Sequence, residues 1–174
     1  MEVYLVRHTE TVCAKGICYG QSDVALLEPY LEQFDGIKSQ IPAAAKVYSS
    51  PLIRCVELAR HLSETSVETD SRLMEMDFGD WEMRPWEAIP ADDFTPWMND
   101  FVNMAVPNGE SFVDLHHRVT DFFKNELPKN DNTPVVIVAH AGVIRSVLCM
   151  VSALPLQDAF QNKVDFGQVI KIEI

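Results

Sequence analysis

The chain has 174 residues and a formal charge of −12, with a sequence pI near 4.7. This field opposes general binding to nucleic acid or to anionic membranes. Its 47% hydrophobic and 23% charged residues are those of an ordinary globular chain long enough to bury a core.

A small phosphate ester stays compatible with the net charge, because a local cluster of Arg and His can oppose the global field. One domain over residues 1–174 is expected, either monomeric or dimeric. Cys13, Cys18, Cys55 and Cys149 form no CxxC pair and are expected as free thiols. With no basic leader and no run of membrane length, the expected location is the cytoplasm.

Residues 2–6 form a short apolar run that predicts a buried strand. Residues 9–23 lack a period and contain Gly16 and Gly20, which predicts loop. Residues 26–41 place Leu27, Leu31, Phe34 and Ile37 at near-helical spacing and stop at Pro42. Lys46-Val47-Tyr48 predicts a second strand. Ser49-Ser50-Pro51 looks like a helix start, with Ser as N-cap and Pro in the first turn. The helix over 52–64 would turn Leu52, Val56, Ala59 and Leu62 inward, and Val67-Glu68-Thr69 would be a third short strand.

Residues 71–109 are irregular and hold all three tryptophans (Trp81, Trp86, Trp97) and Pro85, Pro90, Pro96 and Pro107. Long stretches of this kind are uncommon without a purpose, so a lid or specificity insertion at about 79–109 is expected. A helix over 110–127 would bury Phe112, Leu115, Val119, Phe122 and Phe123. Pro134 leads into a strong strand at 135–139, a helix follows over 142–151, and the alternation in 168–174 suits an edge or late strand. Strands interleaved with helices predict a three-layer α/β/α sandwich on a mostly parallel sheet.

Two strands of this plan each end in a histidine, His8 and His140, and chemistry in open α/β sheets sits outside the carboxyl ends of strands. Arg7 adjoins His8. Ala141-Gly142 follows His140 with small residues that would let an anion approach a helix start. Arg54 falls in the first turns of its helix, where a cation opposes the helix dipole and invites a functional explanation. Glu75 stands among apolar residues, where burial would raise its carboxyl pKa and suit it to proton donation. Asp77, Asp80 and Glu82 are its rivals, although Asp80 and Glu82 flank Trp81 and are expected to face solvent or bond locally.

Two Arg, two His and a carboxyl make a workable phosphoryl-transfer set. The alternative for each is plain: a solvated strand end for Arg7-His8, a structural histidine for His140, and a guanidinium reaching solvent for Arg54. No metal or other cofactor is expected. His116 and His117 point to different helix faces, and Cys13 and Cys18 lack a partner pair. GxxxxGK[ST] and GxGxxG are absent.

Leu5-Val6-Arg7-His8-Thr9-Glu10-Thr11 resembles the signature of the histidine phosphatase superfamily, whose fold is phosphoglycerate-mutase-like. Ser49-Ser50-Pro51-Leu52-Ile53-Arg54 resembles its second arginine segment. Glu75-Met76-Asp77-Phe78-Gly79-Asp80-Trp81-Glu82 resembles its acid segment, and Val138-Ala139-His140-Ala141-Gly142 its second-histidine segment. The four stand in the family's order.

Within the superfamily, Phe78-Gly79-Asp80-Trp81-Glu82, Pro107-Asn108-Gly109-Glu110-Ser111-Phe112 and Val164-Asp165-Phe166-Gly167 are similar to the α-ribazole phosphatase group. The resemblance implies His8 as the phosphorylated nucleophile, Glu75 as acid/base, and Arg7, Arg54 and His140 as the phosphate pocket. It also implies that Tyr19, Gly20 and Gln21 lie on a loop beside that pocket, with Ala141 at its helix start.

Thr9 departs from the pattern, which usually has Gly after the nucleophile. The turn there must be conventional, or the Thr9 hydroxyl contributes. A broad-specificity phosphatase or a phosphoglycerate mutase acting on small phosphorylated metabolites, and a non-catalytic phosphate-binding module, are the competing functions.

Overall fold

The computed structural model describes residues 1–127 and 133–174. Five strands form one sheet in the order β3-β2-β4-β1-β5: β1 (Glu2–Arg7), β2 (Lys46–Ser49), β3 (Val67–Thr69), β4 (Val135–Ala139) and β5 (Val169–Glu173). β1, β2, β3 and β4 run parallel, and β5 lies antiparallel on the edge against β1. Every residue of β4 is buried, as a central strand covered on both faces requires.

The pleat sends alternate side chains to opposite faces. Val3, Leu5, Tyr48, Val135 and Ile137 face a core shared with α4 (Phe112–Asn125) and α5 (Ala141–Ser152). Val6, Val47, Val136 and Val138 face a second core beneath α1 (Leu31–Lys38) and α2 (Ile53–Leu62). The architecture is therefore the expected three-layer sandwich, with a mostly parallel sheet between two helical layers. None of the described helices is long and apolar enough to cross a membrane.

Four expectations need correction. The helix predicted over 26–41 is only α1. Leu26 bridges to Thr11 instead, and Leu27 and Leu31 are exposed while Phe34 and Ile37 are buried. Pro29 is the physical reason, since proline disfavours a helical residue before it.

Ser50 does not cap α2. Leu52 is the cap residue, and the Ile53 N–H donates to Asp23 Oδ1 at 2.8 Å. Ser50 is used elsewhere, as described below. Val56 is only partly buried, and Arg54, Cys55 and Leu58 join the inner face of α2.

Within 71–109 a helix was missed: α3 spans Ala91–Asn99, follows Pro90 and carries Asp92 and Asp93 in its first turn. Its Trp97, with Trp81, Ile89 and Val106, joins the core under α4 and α5. Finally, α4 starts later than expected. Ser111 caps it reciprocally with Asp114, a capping box that satisfies two orphan amides.

Candidate active site

Strand register builds the site. Arg7 pairs with Ala139, so the next residues, His8 and His140, leave adjacent strands side by side. The ladder runs one step further: the His8 N–H donates to Ala139 O at 3.2 Å, and the Ser50 N–H donates to Val138 O at 3.0 Å. The imidazole centroids of His8 and His140 are 5.2 Å apart at 62°. A cavity of about 650 Å³ opens above them, walled by Arg7, His8, Tyr19, Arg54, Glu75 and His140 among others.

His8 is buried, with Nδ1 2.7 Å from Thr9 O. That carbonyl can only accept, so Nδ1 carries the proton and Nε2 keeps its lone pair. Burial, then Arg54 and Arg7, push the His8 pKa from the ordinary 6.5 to about 3, against the opposing Thr9 hydrogen bond. The ring is neutral at physiological pH, as a nucleophile must be.

His140 is fully buried, and its Nε2 lies 2.8 Å from Ser50 Oγ. Cys55 Sγ sits 3.5 Å from the same nitrogen. Burial first, then His8 and Arg54, hold its pKa well below the usual imidazole value.

Both arginines are tethered by backbone carbonyls rather than by carboxylates, which leaves their charge uncompensated for an anion. Arg54 is completely buried and donates to Ser22 O at 2.8 Å and Gly20 O at 2.5 Å. Arg7 donates to Val164 O at 2.8 Å and lies with its Cζ 3.7 Å from the Phe166 ring centroid. Burial lowers the Arg7 pKa from its usual value.

Glu75 is partly buried, and its carboxylate is held by two amides, from Met76 at 2.9 Å and Gly142 at 3.1 Å. Helix α5 thus binds an anion at its start, but that anion is Glu75. Sequence reasoning missed the residue that clamps this segment. Arg118 on α4 donates to the carbonyls of Arg72 (2.8 Å), Met74 (2.6 Å) and Glu75 (2.9 Å), and is itself paired with Glu110 at 2.8 Å. A signal existed: Arg118 stands three residues after Leu115 and four before Phe122, on the buried stripe of α4.

Glu82 is partly buried, and it bonds well beyond its own segment as well as locally. Its carboxylate accepts from the Gln21 N–H at 2.8 Å, the Ser22 N–H at 2.6 Å, the Phe78 N–H at 3.2 Å and the Ser22 hydroxyl. Burial opposes ionisation, but these bonds hold its pKa below the ordinary carboxylate value. The chain of support runs from Glu82 to the 20–22 loop, and from the Gly20 and Ser22 carbonyls to Arg54. Gly20 is required there, because a Cβ would lie 2.0 Å from Met76 O and 2.8 Å from Glu82 Oε1.

The implied loop contacts divide. Tyr19 walls the cavity, with Arg54 Cζ 5.3 Å from its ring centroid. Gly20 offers its carbonyl to Arg54. The Gln21 amide is engaged by Glu82, and its side chain donates to Glu75 O at 3.1 Å. Ala141 is buried at the start of α5. Thr9 makes a conventional turn without positive φ, and its buried hydroxyl has no hydrogen-bond partner among the described residues. Asp77 accepts locally from the Gly79 N–H at 2.8 Å, and Asp80 accepts from Asn108 at 2.9 Å.

The profile of the histidine phosphatase superfamily (branch 1) matches residues 3–174. The adenosylcobalamin/alpha-ribazole phosphatase of Escherichia coli (strain K12) is 27% identical over 187 residues, covering 100% of this chain and 90% of that protein. The crystal structure of the alpha-ribazole phosphatase from Shigella flexneri aligns with a TM-score of 0.89 at 28% identity, covering 100% of this chain and 91% of that one. The mycobacterial glucosyl-3-phosphoglycerate phosphatase aligns with a TM-score of 0.82 at 25% identity, covering 98% and 88%. A neutral histidine at a strand end, two carbonyl-tethered arginines, a second histidine and an amide-held glutamate thus stand on a shared fold, and the chain belongs to the histidine phosphatase superfamily.

Proposed function

We propose that the protein is a phosphomonoesterase that works through a phosphohistidine on His8, and that its substrate is α-ribazole 5′-phosphate. The observation that carries the reaction is the Nδ1 contact of His8 with Thr9 O at 2.7 Å. It leaves the Nε2 lone pair as the nucleophile, in a cavity that also contains Arg7, Arg54, His140 and Glu75.

Nε2 of His8 attacks phosphorus as the ester P–O bond breaks. Arg7, Arg54 and His140 offset the charge on the equatorial oxygens; losing a preorganised donor of this kind typically costs about 10²–10³ in rate. Glu75 gives a proton to the leaving oxygen. It then takes one from the water that attacks phosphohistidine, releasing inorganic phosphate and restoring neutral His8. The chain's own residues suffice for each proton and each P–O or P–N bond in this scheme.

The substrate assignment rests on the likeness to the Escherichia coli adenosylcobalamin/alpha-ribazole phosphatase and the Shigella flexneri alpha-ribazole phosphatase and on the sequence segments around Trp81, Pro107 and Val164. In this scheme residues 1–174 act as one catalytic domain.

The test has two parts. Rapid acid-free quenching during turnover should trap one phosphate on His8, and His8→Ala should abolish both trapping and hydrolysis; retained hydrolysis in that variant refutes the nucleophile. A kcat/KM screen of α-ribazole phosphate against sugar, glycerate and nucleotide phosphates should rank the first highest. With 3-phosphoglycerate, isomer formation outrunning phosphate release would make the protein a mutase instead.

A further inference from the structure

A second cavity, of about 340 Å³, adjoins the first and is lined almost wholly by apolar side chains: Phe78, Trp86, Phe94, Trp97, Met98 and Phe160 among them. Its volume lies at the lower end of the range of small-molecule sites. Trp86 is common to the walls of both cavities. It is fixed there by its backbone N–H donating to Gly16 O at 2.9 Å, next to the Ile17–Pro85 bridge. Phe78 stands edge-on to Trp86 at 5.4 Å, and Trp86 and Trp97 lie nearly parallel with centroids 6.2 Å apart. Two wall residues, Met98 and Phe160, are 52% and 59% exposed, which is unusual for large apolar side chains grouped together.

We propose that this aromatic chamber is the subsite for the leaving-group end of the ester, and that it takes a flat, uncharged aromatic or heteroaromatic ring. The proposal rests on the phosphomonoesterase reading of the neighbouring cavity and adds the substrate's second end.

Charge decides which end goes where. The chain has no lysine or arginine between Arg84 and Arg118, while Glu87, Asp92, Asp93 and Asp100 in that stretch are exposed. An acidic surround repels a phosphate dianion and tolerates a neutral ring, so it directs the phosphate toward Arg7 and Arg54. The same acids argue against a second copy of the chain as the occupant, because a two-fold contact would bring like charges together. At the Phe160 wall, the Arg145 guanidinium is engaged by Asn162 O at 3.1 Å and lies 5.0 Å from the Phe160 centroid.

The test compares naphthylethyl phosphate with ethyl phosphate, two primary alkyl esters whose chemistry at phosphorus is alike. In the wild type, kcat/KM should favour the naphthyl ester by at least about tenfold, the scale expected from burying roughly one ring. In Met98→Ser/Phe160→Ser, two exposed positions where folding should survive, that ratio should fall toward one.

Tryptophan fluorescence provides a second readout. Naphthylethyl phosphate should quench emission with a Kd tighter than the inhibition constant of ethyl phosphate, and the double variant should lose the difference. Equal handling of both esters by the wild type, with hydrolysis intact, overturns the chamber and leaves the phosphatase reading standing. Binding of the naphthyl ester without hydrolysis of either does the reverse. A wild-type dimer that the double variant splits, with naphthyl binding unchanged, would assign the face to self-association and also overturn the proposal.

Discussion

The Glu75 carboxylate rests on the Gly142 amide at 3.1 Å, and any side chain at position 142 would have to displace it. A Cβ on Gly142 would sit 2.3 Å from Glu75 Oε1. The proposed proton donor is therefore held by a glycine in the first turn of the helix that follows the second histidine.

Gly142→Ala should displace the carboxylate without harming the helix. Alanine is the better helix former by about 0.8–1.0 kcal/mol, so the melting temperature should hold or rise. Turnover of an alkyl phosphate should fall by about tenfold or more, within the range that general-acid catalysis contributes. An aryl ester with an activated leaving group should lose much less. Equal losses on both ester types would place the defect outside proton donation.

Glu82 should control phosphate affinity at a distance. Glu82→Ala leaves the amides of Gln21, Ser22 and Phe78 without their carboxylate and loosens the carbonyls that hold Arg54. The inhibition constant of inorganic phosphate should rise by about tenfold, and stability should fall by about 1–3 kcal/mol, the usual cost of stranding buried donors. Glu82→Gln keeps one acceptor oxygen and should recover part of both. Wild-type phosphate affinity in Glu82→Ala would show that Arg54 does not depend on this loop.

The parts of the site that sequence made legible are those that local pattern controls. Two apolar runs ending in histidine specify two strand ends, and parallel register then makes those ends neighbours. The inner stripe of α4 was equally plain, because Phe112, Leu115, Val119, Phe122 and Phe123 keep helical spacing and are all buried. The reach of Glu82 is hidden because two of its three partner residues, Gln21 and Ser22, lie about sixty residues away in the chain, and no local pattern encodes such a contact. Ser50 is hidden for the same reason: it fits a cap by type and spacing, but its hydroxyl is nearer to His140 Nε2, ninety residues away beyond the end of another strand. Helix α3 was hidden by Pro96, although Pro90 with Asp92 and Asp93 is a fair start signal.

Thr9 should be a passenger in its hydroxyl and essential in its carbonyl. The hydroxyl is buried without a partner among the described residues, while the carbonyl accepts from His8 Nδ1. Thr9→Val keeps the shape and removes the unpaired group. Stability should stay level or rise by up to about 1 kcal/mol, with kcat/KM unchanged. A clear loss of phosphate affinity in Thr9→Val, measured by product inhibition, would instead assign the hydroxyl to the bound anion.

Acid should weaken the fold through His8 before it affects the carboxylates. The folded His8 pKa is depressed from 6.5 to about 3, chiefly by burial, so between those values the unfolded chain takes up a proton that the folded chain refuses. Stability from this source is fully present above pH 6.5 and is lost as pH falls toward 3, with a limiting slope of about 1.4 kcal/mol per pH unit. From pH 7 to pH 5 the loss comes to about 2 kcal/mol for His8 alone. His140, depressed in the same direction, adds to it. Over that interval Glu82, Asp70 and Asp114, whose folded pKa values are lowered, stay ionised and contribute little change. Urea unfolding in phosphate-free buffer should therefore show wild-type stability falling more steeply between pH 7 and pH 5 than that of His8→Asn, by about 2 kcal/mol across the interval. Parallel pH curves for the two proteins would mean that His8 titrates in the folded protein much as it does in the unfolded chain, and the neutral nucleophile would lose its physical basis.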